Sequence, residues 1–231
     1  MKALEKLVTE RLYLVPLKLE LLKAAIIGID ELATILWVKV AADWAEQELI
    51  QALPDIANIL LQFPLQNEWG WGSLIIHQGD NTLIGHVMVK IIPDVTGLPT
   101  DAVEIGYQVA PLYRRQGYAS EATKTMMDWT LSQPGMQTVT AGCAPDNIAS
   151  KRVLEKIGMD LIEAREKVLV WKLSRSKSFS GSSVCVMQWT GVIRDGTLMP
   201  MVSILSLNFY RLAKGLCSLL QFVLIPLFPS L

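Results

Sequence analysis

The 231-residue sequence has only two histidines and three cysteines, and this scarcity closes off several chemistries. Cys143, Cys185 and Cys217 are odd in number and widely spaced, so they spell neither a disulfide framework nor a zinc site. With so few imidazoles a metal enzyme is not expected, and no metal ligands are assigned. The formal net charge is −1, which leaves no broad cationic footprint for nucleic acid. The first residues lack the basic-then-apolar build of a signal peptide, because Glu5 and Glu10 interrupt it. A reducing cytoplasm is the expected compartment. The Walker pattern of nucleoside triphosphatases is missing, and so is a dinucleotide-type GxGxxG.

What charge there is lies unevenly. Residues 1–174 carry 16 Lys/Arg against 21 Asp/Glu, a net of −5. The last 57 residues carry five basic residues (Arg175, Lys177, Arg194, Arg211, Lys214) against Asp195, a net of +4. A Ser-rich stretch, Ser174 to Ser183, reads as a linker between the two. The expected organisation is a domain over 1–174 and a hydrophobic tail over 175–231. Its apolar runs, Leu198–Phe209 and Leu216–Leu227, fall short of the roughly 20 residues that span a bilayer. Membrane contact through the tail stays open but is not expected, and translation beyond a lost stop codon would explain the abrupt change of composition.

Within the first 174 residues the periodicity predicts mixed secondary structure. Residues 9–17 alternate and end at Pro16, which reads as a strand. Lys18–Ile27 repeats at helical spacing. Asp43 and Glu46 have capping-box spacing and predict a helix carrying Trp44, Leu49 and Leu53, ended or kinked at Pro54, with a further piece capped by Asp55. Ser73–His77 and Leu83–Ile92 read as strands around the turn Gln78-Gly79-Asp80-Asn81. Glu104–Val109 reads as a strand, followed by a helix with Ala122, Met126 and Trp129 on one face. Thr138–Cys143 is a strand. Asn147 opens a helix through Ile157 with Ala149, Val153, Leu154 and Ile157 inward, and Met159–Glu163 and Val168–Leu173 end the series as strands. The order is β-α-α-β-β-β-α-β-α-β-β, an α+β arrangement.

One junction carries chemistry. A strand runs into Arg114-Arg115-Gln116-Gly117-Tyr118-Ala119 and then into a helix start. Unpaired backbone N–H groups converge at such a point, and the helix dipole favours an anion. Gly117 lets the backbone come close, Ala119 keeps the approach narrow, and Arg114 and Arg115 add positive charge. An ordinary turn with a solvated arginine pair fits the same hexapeptide.

The surroundings add a resemblance. Arg114, two residues, Gly117, one residue and Ala119 resemble the loop with which GNAT acetyltransferases cradle the pyrophosphate of coenzyme A. Thr9-Glu10-Arg11-Leu12 resembles the opening strand of the branch containing the ribosomal-protein N-terminal acetyltransferases, and Glu104-Ile105-Gly106-Tyr107 its fourth strand. Asn147, Ser150 and Leu154-Glu155-Lys156 through Gly158-Met159 resemble its fourth helix and turn, with Met159 where the family usually has Phe. These pieces occur in family order across residues 9–173.

The resemblance implies a central twisted, mostly antiparallel sheet flanked by helices, with acetyl-CoA as cosubstrate and an amine-bearing acceptor. It also implies that the fourth strand splays from the fifth. The N–H groups of Gln116, Gly117, Tyr118 and Ala119, with Ser120, would hold the pyrophosphate. Gln108, Val109 and Ala110 would pair with the pantetheine arm, and Asn147 would hydrogen-bond to it or simply cap its helix. Ser150 would protonate the departing thiolate, or face solvent. Glu104 is the candidate base, or else an ammonium ligand. Deprotonating an α-amine at pH 7 costs roughly 1.4 kcal/mol and a lysine roughly 4.6, so a positioned carboxylate acting through a water helps with either. Tyr113 is an alternative acid. His77 and His86 read as strand residues, and Trp69-Gly70-Trp71-Gly72 as edge packing that could border the acceptor. The expected activity is acetyl transfer to a primary amine by a monomer or homodimer; a CoA-binding module without turnover is the alternative.

Overall fold

The alternating run at the start forms one strand, and a second short strand precedes it. The computed structural model describes residues 2–96 and 98–175, and in it β1 (Leu7–Val8) pairs antiparallel with β2 (Leu12–Pro16). Leu12 and Leu14 are fully buried on one face of β2, while Tyr13 and Val15 pack half-buried on the other. Helices α1 (Leu19–Ile27) and α2 (Ile29–Leu36) follow, the second without a counterpart in the sequence-based expectation. Strand β3 (Lys39–Val40), helix α3 (Gln47–Gln62) and helix α4 (Pro64–Trp69) lead to the hairpin β4 (Ser73–His77) and β5 (Thr82–Pro93). Then come β6 (Pro99–Val109), α5 (Tyr118–Ser132), β7 (Thr138–Cys143), α6 (Ile148–Lys156), β8 (Asp160–Ala164) and β9 (Leu169–Ser174). The expected tail lies, apart from Arg175, outside the described residues.

For α3 one expectation is corrected and one alternative is excluded. Asp43 does not cap it, because its backbone is left-handed at φ 54° and the helix begins four residues later, after Glu46. Pro54 does not end it, and α3 runs on to Gln62. Leu53, Ile56 and Leu60 are all buried around the proline. Burying three such side chains is worth about 1.5–3 kcal/mol each, more than the roughly 3 kcal/mol of an internal proline.

The sheet order is β1-β2-β4-β5-β6-β7-β9-β8, with β3 joining β5 off this path. All pairings are antiparallel except β6–β7 and β3–β5. Each face carries its own core. On one, Val87, Val89, Val103 and Ile105 meet Ala122, Met126 and Met127 of α5. On the other, Leu74, Ile76 and Leu83 meet Leu22, Leu32, Leu53 and Ile56 of α1–α3. Trp69 and Trp71 are both buried, Trp69 edge-on to Trp129 at 4.9 Å, so this tryptophan pair is core and not sheet edge. In α6, Leu154 and the following Ile157 are buried as expected, whereas Ala149 is exposed at the start of the helix.

The sheet is interrupted at one place. β6 and β7 pair only through Ala102–Thr138, Val103–Val139 and Glu104–Thr140. Both strands then continue, to Val109 and Cys143, without pairing to each other. A wedge opens there between two strands of the sheet.

Candidate active site

Each end of the wedge is built by local chain geometry. At its apex Glu104 stands between Lys90 of β5 and Thr140 of β7 on the last shared rung. Its side chain is half-buried, and its carboxylate has no hydrogen-bond or ion-pair partner among the described residues. Strand alternation puts Glu104 on the face of Gly106 and Gln108, towards α1–α3, where Met88 packs.

Along the open side of β6 the backbone polarity is fixed. Ala110 donates its N–H to Ile84 O at 2.7 Å, so alternate residues of β6 direct their backbone groups to β5. The N–H groups of Tyr107 and Val109 therefore face the wedge, while that of Ile105 serves the last rung with β7. Val109 O already accepts from Arg114 Nε at 2.8 Å. The Gln108 side chain accepts the Glu46 N–H at 2.8 Å and ties the start of α3 to β6. At Gly85 a Cβ would lie 2.1 Å from Gln108 O, so this close approach of β5 and β6 requires glycine.

At the wide end of the wedge, a single 3-10 turn (Pro111–Tyr113) delivers the chain to the loop. Arg115 and Gly117 are both left-handed, at φ 62° and 86°, and Gly117 is the N-cap of α5. Among the described residues no group accepts a hydrogen bond from the six consecutive N–H groups of Arg115 through Ser120; the first helical bond is Glu121 N to Gly117 O at 3.0 Å. Alternating hand along the backbone gathers such donors into a concavity suited to an anion, and the 15-residue helix behind adds its dipole. A Cβ built on Gly117 would lie 3.3 Å from Arg11 Nη2 and 4.0 Å from Lys156 Nζ.

The flank of α6 closes the wedge. Asn147 caps this helix by accepting the Ser150 N–H at 3.0 Å. Tyr107 reaches across from β6 and donates its hydroxyl to Ser150 O at 3.2 Å. Burial pushes the Tyr107 phenol up to about 12, against the bond to Ser150, which lowers it. Ser150 therefore lies on the α5 side of the sheet and Glu104 on the other. The structure gathers Tyr107, Asn147 and Ser150 at one flank and residues 114–120 at the mouth.

Four contributors had no assigned role at the sequence level: Arg11, Tyr107, Glu121 and Lys156. Arg11 stands within the quoted Thr9-Glu10-Arg11-Leu12 run, but its partner is 110 positions away. Both tyrosines beside the loop are also tied down at a distance. Tyr118 Oη lies 3.1 Å from His77 Nε2, Tyr113 Oη donates to Asp80 at 2.6 Å, and His77 Nδ1 meets Asp80 at 2.8 Å. Burial acts to raise Asp80, but the bonds from Tyr113 and His77 outweigh it and hold its carboxyl below the ordinary value. Tyr113 is engaged by that carboxylate, which raises its phenol and weakens it as an acid.

Comparison with known proteins agrees with this fold. The family described as acetyltransferase (GNAT) domain matches residues 11–160. The uncharacterized N-acetyltransferase YjdG of Bacillus subtilis strain 168 is 31% identical over 154 residues, which is 66% of this chain and 88% of that protein. The ribosomal-protein-S5-alanine acetyltransferase of Vibrio fischeri superposes with a TM-score of 0.53 at 16% identity, over 74% of this chain and 97% of that one. A ribosomal L7/L12 alpha-N-protein acetyltransferase in complex with coenzyme A has a TM-score of 0.50 at 14% identity, over 73% of this chain and 96% of that one. With a family match across most of its described residues and a sheet of the same plan, the chain belongs to the GNAT family of acetyltransferases.

Proposed function

We propose that this GNAT-family acyltransferase moves the acetyl group of acetyl-CoA to a primary amine, a protein N-terminus or a small-molecule amine, by direct attack without an acyl-enzyme. The observation that carries the proposal is the run of six unpartnered N–H groups at the start of α5, at the mouth of a wedge in the sheet. Such a donor array, rimmed by Arg114, Arg115 and Lys156, fits a pyrophosphate. Bound acetyl-CoA supplies an acetyl group already activated as a thioester.

The residues then divide the work. Gln116, Gly117, Tyr118, Ala119 and Ser120 hold the diphosphate, with Arg114 and Arg115 as the cationic rim. Of the residues Gln108, Val109 and Ala110, the free main-chain donor for the pantetheine arm is the Val109 N–H, since Ala110 N is engaged by Ile84. Asn147 retains its side-chain N–H₂ for the arm while its oxygen caps α6. Glu104 accepts the amine proton through a water, and Ser150 donates one to the leaving sulfur. A base and an acid on opposite faces of the sheet can flank one bond only where the sheet is open, and the wedge is that opening. The proposed compartment is the cytoplasm, on the ground of cysteine usage. The test is an acceptor panel (peptide N-termini, polyamines, aminoglycosides) with acetyl-CoA, read by released free thiol. Acceptor-dependent thiol release is expected. CoA binding with no release from any acceptor would make the chain a binding module instead.

A further inference from the structure

The guanidinium of Arg11 lies beneath the loop, yet it is not free to bind an anion. Its Nη1 donates to Gln116 O at 2.9 Å. Its Nε and Nη2 both meet Glu121 Oε2, at 2.7 and 2.6 Å. The Arg11 main-chain N–H and the Thr9 hydroxyl take the other oxygen of the same carboxylate, at 3.1 and 2.5 Å. The planar group also lies over the Tyr118 ring, 4.5 Å from its centroid. Burial acts to raise the Glu121 carboxyl, but the bonds from Thr9 and Arg11 outweigh it and leave it below its ordinary value.

We propose that Arg11 and Glu121 form a clamp that fixes the Gln116–Gly117 peptide with its N–H turned towards the bound diphosphate; they are positioning residues and not phosphate ligands. The inference rests on the pyrophosphate reading of the loop. In a trans peptide C=O and N–H point in opposite directions, and the described chain has no cis bond. Holding Gln116 O against Arg11 therefore aims the Gly117 N–H away from Arg11, out of the loop. The peptide joins Gln116 to left-handed Gly117, one residue beyond left-handed Arg115. Glycine tolerates either sign of φ at little cost, so the residue that permits close approach also permits this peptide to flip. A flip would present a carbonyl oxygen to the anion in place of a donor. The clamp removes that alternative, and the Glu121 oxygen shared by Nε and Nη2 on its far side keeps the guanidinium plane from turning outward.

The experiment titrates the full chain with CoA by calorimetry and with pantetheine, which lacks the diphosphate, by ligand-observed NMR. The variants are Arg11→Ala, Arg11→Lys, Glu121→Gln and the double Arg11→Ala/Glu121→Gln. Each single variant is expected to weaken CoA binding by about 10- to 100-fold, the scale of losing a charge-assisted hydrogen bond. The double variant should be no worse than the weaker-binding single one, because the pair acts as a unit. Pantetheine affinity should stay within about twofold of wild type. Unchanged or tighter CoA binding by Glu121→Gln, or full rescue by Arg11→Lys, would make Arg11 a plain charge for the phosphates and overturn the clamp. Equal losses for CoA and pantetheine would reduce the pair to general support of the fold and overturn it too. If the wild-type chain binds CoA no more tightly than pantetheine, the pyrophosphate reading itself fails, and this result is visible before any substitution is made.

Discussion

Glu104 sits where three strands meet, and its position sets what its removal should do. As a base it acts on the amine and not on the cosubstrate. Glu104→Gln keeps shape and hydrogen bonding but cannot take up a proton, so CoA affinity should hold while turnover falls by about 10²–10⁴-fold at neutral pH. The gap should narrow as pH rises and more amine arrives deprotonated. Near-normal turnover would remove Glu104 from the mechanism, and a loss confined to the acceptor KM would make it an ammonium ligand. His86, on the same face of β5, invites a different test. Its Nδ1 is buried without a partner among the described residues, and its ring stands edge-on to Trp44. Burial lowers its pKa to about 4, against a hydrogen bond to the Trp44 backbone carbonyl that works the other way. The unfolded imidazole titrates near 6.5, so between about 4 and 6.5 the unfolded chain binds the extra proton and stability falls as pH falls. From pH 7 to pH 5 the wild type should lose about 2 kcal/mol more than His86→Leu in urea unfolding. Parallel curves for the two proteins would mean a solvated ring.

At the scale of elements, the loop and helix α5 act together, and their parts should not respond equally to change. Gly117 is left-handed at φ 86°, and any side chain there is strained and directed at Arg11. Gly117→Val should therefore weaken CoA binding at least tenfold more than Arg114→Ala, whose exposed guanidinium adds a screened charge. Calorimetry on protein with unchanged circular dichroism decides this, and equal small losses would take the phosphate site elsewhere. The same elements show what a sequence discloses. β4, β5, β7 and α5 were legible because their signals are local: alternation, a glycine-bearing turn, a helical stripe. The loop was legible for the same reason, being six consecutive residues. α2 and α4 are eight and six residues long and lack side-chain capping bonds, so they leave little signature. The start of α3 was misread because Glu46 is held by Gln108, 62 positions away. Arg11 and Glu121, and the tyrosines tied to His77 and Asp80, meet only in the fold. Local pattern carries no trace of such pairings.

For the molecule as a whole, the wedge that makes the site also weakens the sheet. Among the described residues, three rungs from Ala102–Thr138 to Glu104–Thr140, with the Gln137 N–H on Asp101 O at 2.8 Å beside them, are the only strand pairing between β1–β6 and the β7-β9-β8 group. Beyond them the two parts are held by α5, α6 and the Tyr107 hydroxyl on Ser150. A ligand in the wedge would supply partners to β6 and to the start of α5 at once, on the line where the sheet has no pairing of its own. Acetyl-CoA should therefore stabilise the folded chain well beyond its contacts at the mouth. At 100 times Kd a ligand that binds only the folded state contributes about 2.7 kcal/mol, and for a domain of this size that is a rise of roughly 5–10 °C in melting temperature. Hydrogen exchange should show where the gain falls. Protection is expected to rise at the N–H groups of residues 115–120 and at Val109, which have no protein acceptor, and to change little in β2 and β4 on the far side of β5. A melting temperature that does not move at millimolar acetyl-CoA in well-folded protein would sink the cofactor assignment altogether. A rise with protection confined to β1–β4 would put the ligand at a different face of the sheet.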